Sequence, residues 1–448
     1  MNRSFRSPLL LLALALALPG LAAKVPPAKA PAKAVKAHAA PLSKETRACL
    51  DCHGESTTPA IAQQWHGSSH ATAGVGCYEC HQAAKTSPTG FDHNGYFITV
   101  LVSPKDCGRC HAKETAEFQA SHHAKAGDIL GSLDNVLGEV IEGVPAANSG
   151  CIQCHGGKVT VVGNGKLDAA TWPNSGIGRL NPDGSKGSCT ACHSRHSFSA
   201  AMARQPENCG KCHLGPDHPQ AEVYNESKHG IAYRANVAKM NLDAKHWVVG
   251  KDYSAAPTCA TCHMSATADM PVTHDVGARI SWTLRPVVSK KLDNWETKRA
   301  NMQKVCANCH ATDWVQNHYK QYDAAVNLYN DKFAIPAQAI MKKLYEAKKL
   351  TATPFDEKIE WTYFELWHHQ GRTARMGAAM MGPDYTQWHG FYEVAQTFYM
   401  EFLPEAEALL PGVTDEARKM DDHKWLQGLS KAEREKIQSF YKERYGNK

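Results

Sequence analysis

The pattern of apolar and polar positions divides the chain into four stretches. Arg3 and Arg6 precede an apolar run from Leu9 that leaves through the small residues Ala22 and Ala23, which predicts a secretory signal peptide over residues 1–23. That run is too short to span a bilayer, and no later stretch is long and apolar enough to try. The mature chain is therefore expected in the periplasm or outside the cell. Residues 24–44 are Ala, Pro and Lys with no periodic apolar face, the composition of a flexible tether. His38 within it reads as solvated.

Residues 45–310 carry short periodic runs broken by Gly and Pro, as between Trp172 and Ser188, and predict short helices joined by loops. From residue 311 the pattern changes to long stretches with apolar positions three and four apart. These are residues 323–349, with Pro336 expected to kink the helix, residues 355–381 between Pro354 and Pro383, and residues 385–410, ending before Pro411 and Gly412. A final helix is expected from Thr414 to about Tyr445. Strand signals are sparse, so the fold class is mainly α: a region at 45–310 followed by a helical C-terminal region at 311–448.

The 45–310 stretch contains eight copies of one word, C-x-x-C-H, and these use all sixteen cysteines of the chain. They pair Cys49 with Cys52, Cys77 with Cys80, Cys107 with Cys110 and Cys151 with Cys154. The remaining four are Cys189 with Cys192, Cys209 with Cys212, Cys259 with Cys262, and Cys306 with Cys309. The histidines that follow are His53, His81, His111, His155, His193, His213, His263 and His310. A zinc site does not require a histidine directly after the second cysteine. Covalent haem attachment does, because the thiols add to the porphyrin vinyls and the next residue ligates iron. The words predict eight c-type haems and a multihaem cytochrome c.

At this density of haem the polypeptide has too little apolar material to build an ordinary core around each group, so haem faces are expected to form much of the buried surface. The C-terminal helices are expected to pack on the haems and on neighbouring subunits. The formal charge of +6 includes Arg3 and Arg6; removing those two leaves +4. Two propionates per haem then bring the holoprotein to neutral or acidic, which argues against a nucleic-acid partner. Another redox protein fits better.

A haem held by two histidines conducts, whereas a haem held by one can bind substrate. Of 24 histidines, sixteen lie outside the words, so counting alone does not reveal an open iron. An internal repeat, aromatic-x-x-Ser-x-His-small, occurs at Trp65, Phe118 and Tyr224 and nominates His70, His123 and His229 as second ligands. His196 after the fifth word, His274, His93, and His369 and His389 on the C-terminal helices complete the candidate set.

The run from Gly176 to Gly230, with the eight-word layout and the helical tail, resembles the octahaem hydroxylamine oxidoreductase family. The resemblance implies seven bis-histidine haems and one catalytic haem at the fourth word, with His155 as its single protein ligand. It places Asp217 and His218, in the sequence GPDHPQ, over the open face as proton acceptors. In members that oxidise hydroxylamine, a tyrosine of a neighbouring subunit is linked to the catalytic porphyrin, and reducing relatives lack it. Tyr385 matches that position, with Tyr319 and Tyr322 as alternatives for the pocket wall. A homotrimer is implied, with a cytochrome c or a quinone-linked redox protein as electron acceptor. The expected activity is oxidation of hydroxylamine to nitric oxide or nitrite. The alternatives are hydrazine oxidation, reduction of nitrite or hydroxylamine to ammonium, and electron conduction without catalysis.

Overall fold

The computed structural model describes residues 40–129 and 136–446. The signal-peptide stretch and residues 24–39 of the expected tether lie outside the described residues. Lys44, the last tether residue, instead opens the helix Lys44–His53, where Ser43 Oγ accepts a hydrogen bond from the Thr46 amide. Such a cap satisfies one of the amides that a helix start leaves unbonded.

Between residues 44 and 306 no described helix exceeds the 12 residues of Trp295–Cys306, and strands occur as three two-stranded antiparallel hairpins. The binding words occupy helical turns, as in Cys77–His81, Cys151–His155 and Cys259–His263. One turn brings residues three and four apart onto the same side, so the two thiols and the histidine of a word would reach one haem together, the thiols at its vinyl groups and the imidazole at its iron. Glu79 joins the first two words: its Oε2 accepts from the Gly76 amide at 2.8 Å and from Thr46 Oγ1 at 2.9 Å.

The aromatic-x-x-Ser-x-His repeat is a corner between two helices. At two of its copies the serine caps the turn that carries the histidine: Ser68 Oγ accepts from the Ala71 amide and Ser227 Oγ from the Gly230 amide. The aromatic residues Trp65 and Tyr224 are buried at the corner. In the Tyr224 copy the glycine after the histidine is a steric demand, because a Cβ on Gly230 would stand 2.1 Å from the Tyr224 carbonyl oxygen.

The C-terminal region is built differently. Helical backbone runs through residues 312–346, 358–379 and 383–409. The expected kink at Pro336 is a widened turn: Asn330–Ala334 is π-helical, and it contains Lys332, whose carbonyl the proline ring would otherwise strike. Pro404 repeats the arrangement after the π turn Phe398–Phe402. Widening the turn lets the helix continue through a residue with no amide hydrogen. The final helix is shorter than expected. Asp415–Lys419 and Asp421–Gln427 are separate turns, Gly428 has φ of +87°, and Ser430 opens Lys431–Tyr445 with a reciprocal cap to Glu433.

These helices hold the largest apolar cluster, whose buried members run from Tyr329 to Ala417. A smaller cluster centres on Tyr224, Met240 and Trp247. Among the described residues no helix is long and apolar enough to cross a membrane. Phe398 is fully buried and meets the ring of Phe333 edge-on with centroids 5.5 Å apart. Phe398→Ala is expected to destabilise the chain by about 3–5 kcal/mol without loss of bound haem, read as a lowered thermal midpoint at constant haem absorbance per chain.

Candidate functional site

Six binding-word histidines face a second histidine ring across a nearly constant gap. The centroid separations are 6.2 Å for His53 and His93, 6.1 Å for His111 and His70, and 6.3 Å for His81 and His196. They are 6.0 Å for His213 and His123, 6.5 Å for His193 and His274, and 6.0 Å for His310 and His229. A metal–nitrogen bond of about 2 Å on each side, with about 1.1 Å from nitrogen to ring centre, requires about 6.2 Å. The residues therefore fit an iron between each pair.

The rings are also prepared chemically. His81 Nδ1 donates to the Thr99 carbonyl at 2.7 Å and His53 Nδ1 meets Thr58 Oγ1 at 2.8 Å, which leaves Nε2 for a metal. Burial, reinforced by neighbouring imidazoles, pushes His123, His193 and His213 down to about 4. Neutral imidazole is the form that ligates.

The structure does not bring His369 and His389 to a binding word. Both line a cavity of about 230 Å³ with Pro216, Glu222 and Tyr385, and their Nδ1 atoms face Glu365 at 2.5 Å and Glu393 at 3.1 Å. An i, i+4 carboxylate on the same helix holds each of them. His263 is half-buried, with Nδ1 3.4 Å from the Val276 carbonyl, and among the described residues no histidine ring stands opposite it within the spacing of the six pairs. Tyr319 and Tyr322 stand by the later words: Tyr319 lies near Cys306 and Cys262, and Tyr322 is buried beside Trp282.

The attachment cysteines form a chain of neighbours. Cys49 and Cys77 are electrostatic neighbours, as are Cys80 and Cys107, and Cys107 lies in hydrogen-bonding reach of Cys189. Cys192 neighbours Cys209, Cys209 reaches Cys259, and Cys262 neighbours Cys306. The fourth word joins this chain where Cys154 meets Cys212.

That junction is where Asp217 and His218 lie. The charge of His218 acts on Cys154, and His155 and His218 both act on His213. The loop leaves the sixth word through Gly215, whose φ of +97° suits glycine, and enters the helix Gln220–Glu226. His218 Nδ1 is 2.9 Å from Asp217 Oδ1, and Arg372 Nη1 is 3.2 Å from Asp217 Oδ2. Burial opposes ionisation of Asp217, but the close approach and charge of His218, with the charges of His368 and Arg372, outweigh it and hold the carboxyl at about 2. His218 also lies 5.9 Å, ring to ring, from His213, so His123 and His218 both stand about 6 Å from that ring.

Sequence reading missed Arg372 and His368. Their one signal is an i, i+4 pair within residues 365–376, a stretch already explained by helical periodicity. Tyr385 is half-buried in its own chain beside His389, with ring centroids 5.6 Å apart. Burial, then the charges of Glu226, Glu222 and Asp384, raise its phenol.

The pairs make a direct expectation. His93→Ala is expected to keep the full number of attached haems, because Cys49, Cys52 and His53 remain, while one iron changes from low to high spin. Low-temperature electron paramagnetic resonance of the oxidised protein reads the change; an unaltered low-spin signal would remove His93 from the ligand set.

Known families match three stretches of the chain. Residues 183–355 match the seven-times multi-haem cytochrome CxxCH family, residues 102–214 match cytochrome c3, and residues 22–82 match cytochrome c554 and c-prime. A Kuenenia stuttgartiensis protein described as a probable nitrite reductase-hydroxylamine oxidoreductase fusion is 32% identical over 254 residues, covering 48% of this chain and 25% of the relative. The match thus spans a quarter of that protein's length. Among solved structures, a hypothetical multiheme protein superposes with a TM-score of 0.75 at 26% identity, over 87% of this chain and all of the other. A reducing HAO-like protein complex of Kuenenia stuttgartiensis gives 0.60 at 20% identity over 82% and 85%, a likeness of fold. With binding words, histidine pairs and relatives in agreement, the chain is a multihaem cytochrome c that binds haem covalently, related to hydroxylamine oxidoreductase-like proteins.

Proposed function

We propose that this protein is a periplasmic oxidoreductase with eight haems, that it acts on a small nitrogen compound at the fourth word, and that it oxidises hydroxylamine to nitric oxide or nitrite. The observation that carries the reading is the Asp217–His218 pair, joined at 2.9 Å and electrostatically adjacent to Cys154 of that word. Cys151, Cys154 and His155 would hold the catalytic haem. When bound, haem supplies an iron that takes a nitrogen ligand and exchanges single electrons with neighbouring irons.

The chain's own residues then handle protons. Asp217, ionised and held on Oδ2 by Arg372, stands with Oδ1 2.9 Å from Nδ1 of His218, which leaves Nε2 as the accepting atom toward the substrate. Each oxidation step at nitrogen releases protons, and this dyad takes them up. The chain of neighbouring cysteines on either side of the sixth word supports an outlet for the electrons, ending at a cytochrome c or a quinone-linked partner. The relative's description as a nitrite reductase-hydroxylamine oxidoreductase fusion supports nitrogen compounds as the substrate class.

A second reading, reduction of nitrite or hydroxylamine to ammonium, is favoured by the relative's description as a nitrite reductase-hydroxylamine oxidoreductase fusion. The oxidative reading has Tyr385 linked to the catalytic porphyrin of a neighbouring subunit in a homotrimer. Under it, the protein runs as a covalent oligomer in SDS and Tyr385→Phe runs as a monomer. A wild-type protein that already runs as a monomer, with only ordinary c-type bands when reduced, would transfer preference to the reductase.

The site itself is tested by Asp217→Asn and His218→Gln, each expected to lower turnover on the order of a hundredfold with haem content and the bulk spectrum unchanged. Unchanged turnover in both variants would place the proton acceptors elsewhere.

A further inference from the structure

The helix Gly371–Ala379 grips the loop around Asp217 at three points. Arg372 Nη1 donates to Asp217 Oδ2 at 3.2 Å, Thr373 Oγ1 donates to the Pro216 carbonyl at 2.7 Å, and Gln220 Nε2 reaches Met376 Sδ at 3.2 Å. Arg372 is itself fixed. Its Nε donates to the Arg285 carbonyl at 2.9 Å, its Nη1 lies 2.9 Å from His368 Nε2, and its guanidinium lies 5.1 Å from the centre of the Trp367 ring.

We propose that Arg372 is the positioning residue of the proton-handling dyad: by holding Oδ2 of Asp217 it turns Oδ1 toward His218, and so fixes which nitrogen of His218 faces the substrate. The inference rests on reading Asp217 and His218 as the active-site pair. A carboxylate with neither oxygen held rotates about its terminal torsion, and a histidine beside it loses its aim. The bond from Arg372 to Oδ2 removes that freedom before substrate arrives and keeps Oδ1 2.9 Å from His218 Nδ1. The side chains of Arg372 and Asp217 are 11% and 24% exposed, so the contact is shielded from the screening that makes surface ion pairs weak.

The requirement is for a planar fork and not for charge alone. Arg372 spans the Arg285 carbonyl and Asp217 from different nitrogens, whereas a lysine ammonium is a single point on a flexible stem. Arg372→Lys therefore keeps the charge and loses one of the two anchors.

The test uses the holoprotein with Arg372→Ala, Arg372→Lys and, in parallel, Asp217→Asn. Turnover is measured with hydroxylamine and a soluble acceptor and with nitrite and a reductant, alongside electron paramagnetic resonance of the oxidised haems. Arg372→Ala is expected to lose roughly tenfold to a hundredfold in kcat, with KM and every low-spin signal unchanged. Millimolar guanidinium is expected to restore most of that loss in Arg372→Ala, and Arg372→Lys is expected to fall between it and the wild type. Wild-type turnover in Arg372→Ala beside a crippled Asp217→Asn would overturn the inference while leaving the dyad intact. Full turnover in Asp217→Asn would overturn the dyad and the inference together. A changed low-spin signal in Arg372→Ala would also overturn it, because His218, 5.9 Å from His213, would then be an iron ligand that Arg372 orients indirectly.

Discussion

Pairs of imidazoles set about 6 Å apart, the span an iron needs between them, organise the first two thirds of this chain. A C-x-x-C-H turn supplies one ring and both covalent links, but the second ring comes from a distant segment. His93 lies 40 residues after His53 (93 minus 53), and His274 lies 81 residues after His193 (274 minus 193). An iron held by such a pair would tie two pieces of chain together through a group that is not polypeptide. Such ties would account for a fold in which residues 44–310 have described helices of at most 12 residues and a modest apolar cluster. Ligation and haem burial would do there what side-chain interdigitation does among the C-terminal helices.

The separation is clearest for His81 and His196, which lie 115 residues apart in sequence (196 minus 81) and 6.3 Å apart as rings. Such contacts cost loop-closure entropy that local helices do not. Thioether links would keep the haem at one end of each loop, so that iron ligation by the distant histidine offsets that cost without a free cofactor having to bind.

Much of this is legible in the sequence because the chemistry of attachment is strict. Eight words name their own cysteines and first ligands. The aromatic-x-x-Ser-x-His repeat leads to His70, His123 and His229 because a buried aromatic, a serine cap and a small residue each serve the corner, as the copies at Trp65 and Tyr224 show. His369 and His389 mark the limit of such reading: a histidine four residues from a glutamate on a helix has a local partner, and spacing to a haem word says nothing of that. The break at Gly428 is hidden by helical periodicity on both sides. Pro336 reads as a kink because a one-dimensional pattern does not show a π turn at Lys332. Arg372 is invisible because its partner Asp217 lies 155 residues away.

If every binding word carries a haem, and these haems form the core of residues 44–310, the intact mass of the mature chain under denaturing conditions must show them. The protein for that measurement comes from cells with a complete cytochrome c maturation system. The expected mass is that of the polypeptide plus eight covalently attached haems. A mass showing six or fewer, in folded protein with the same histidine pairs, would contradict a haem at every word.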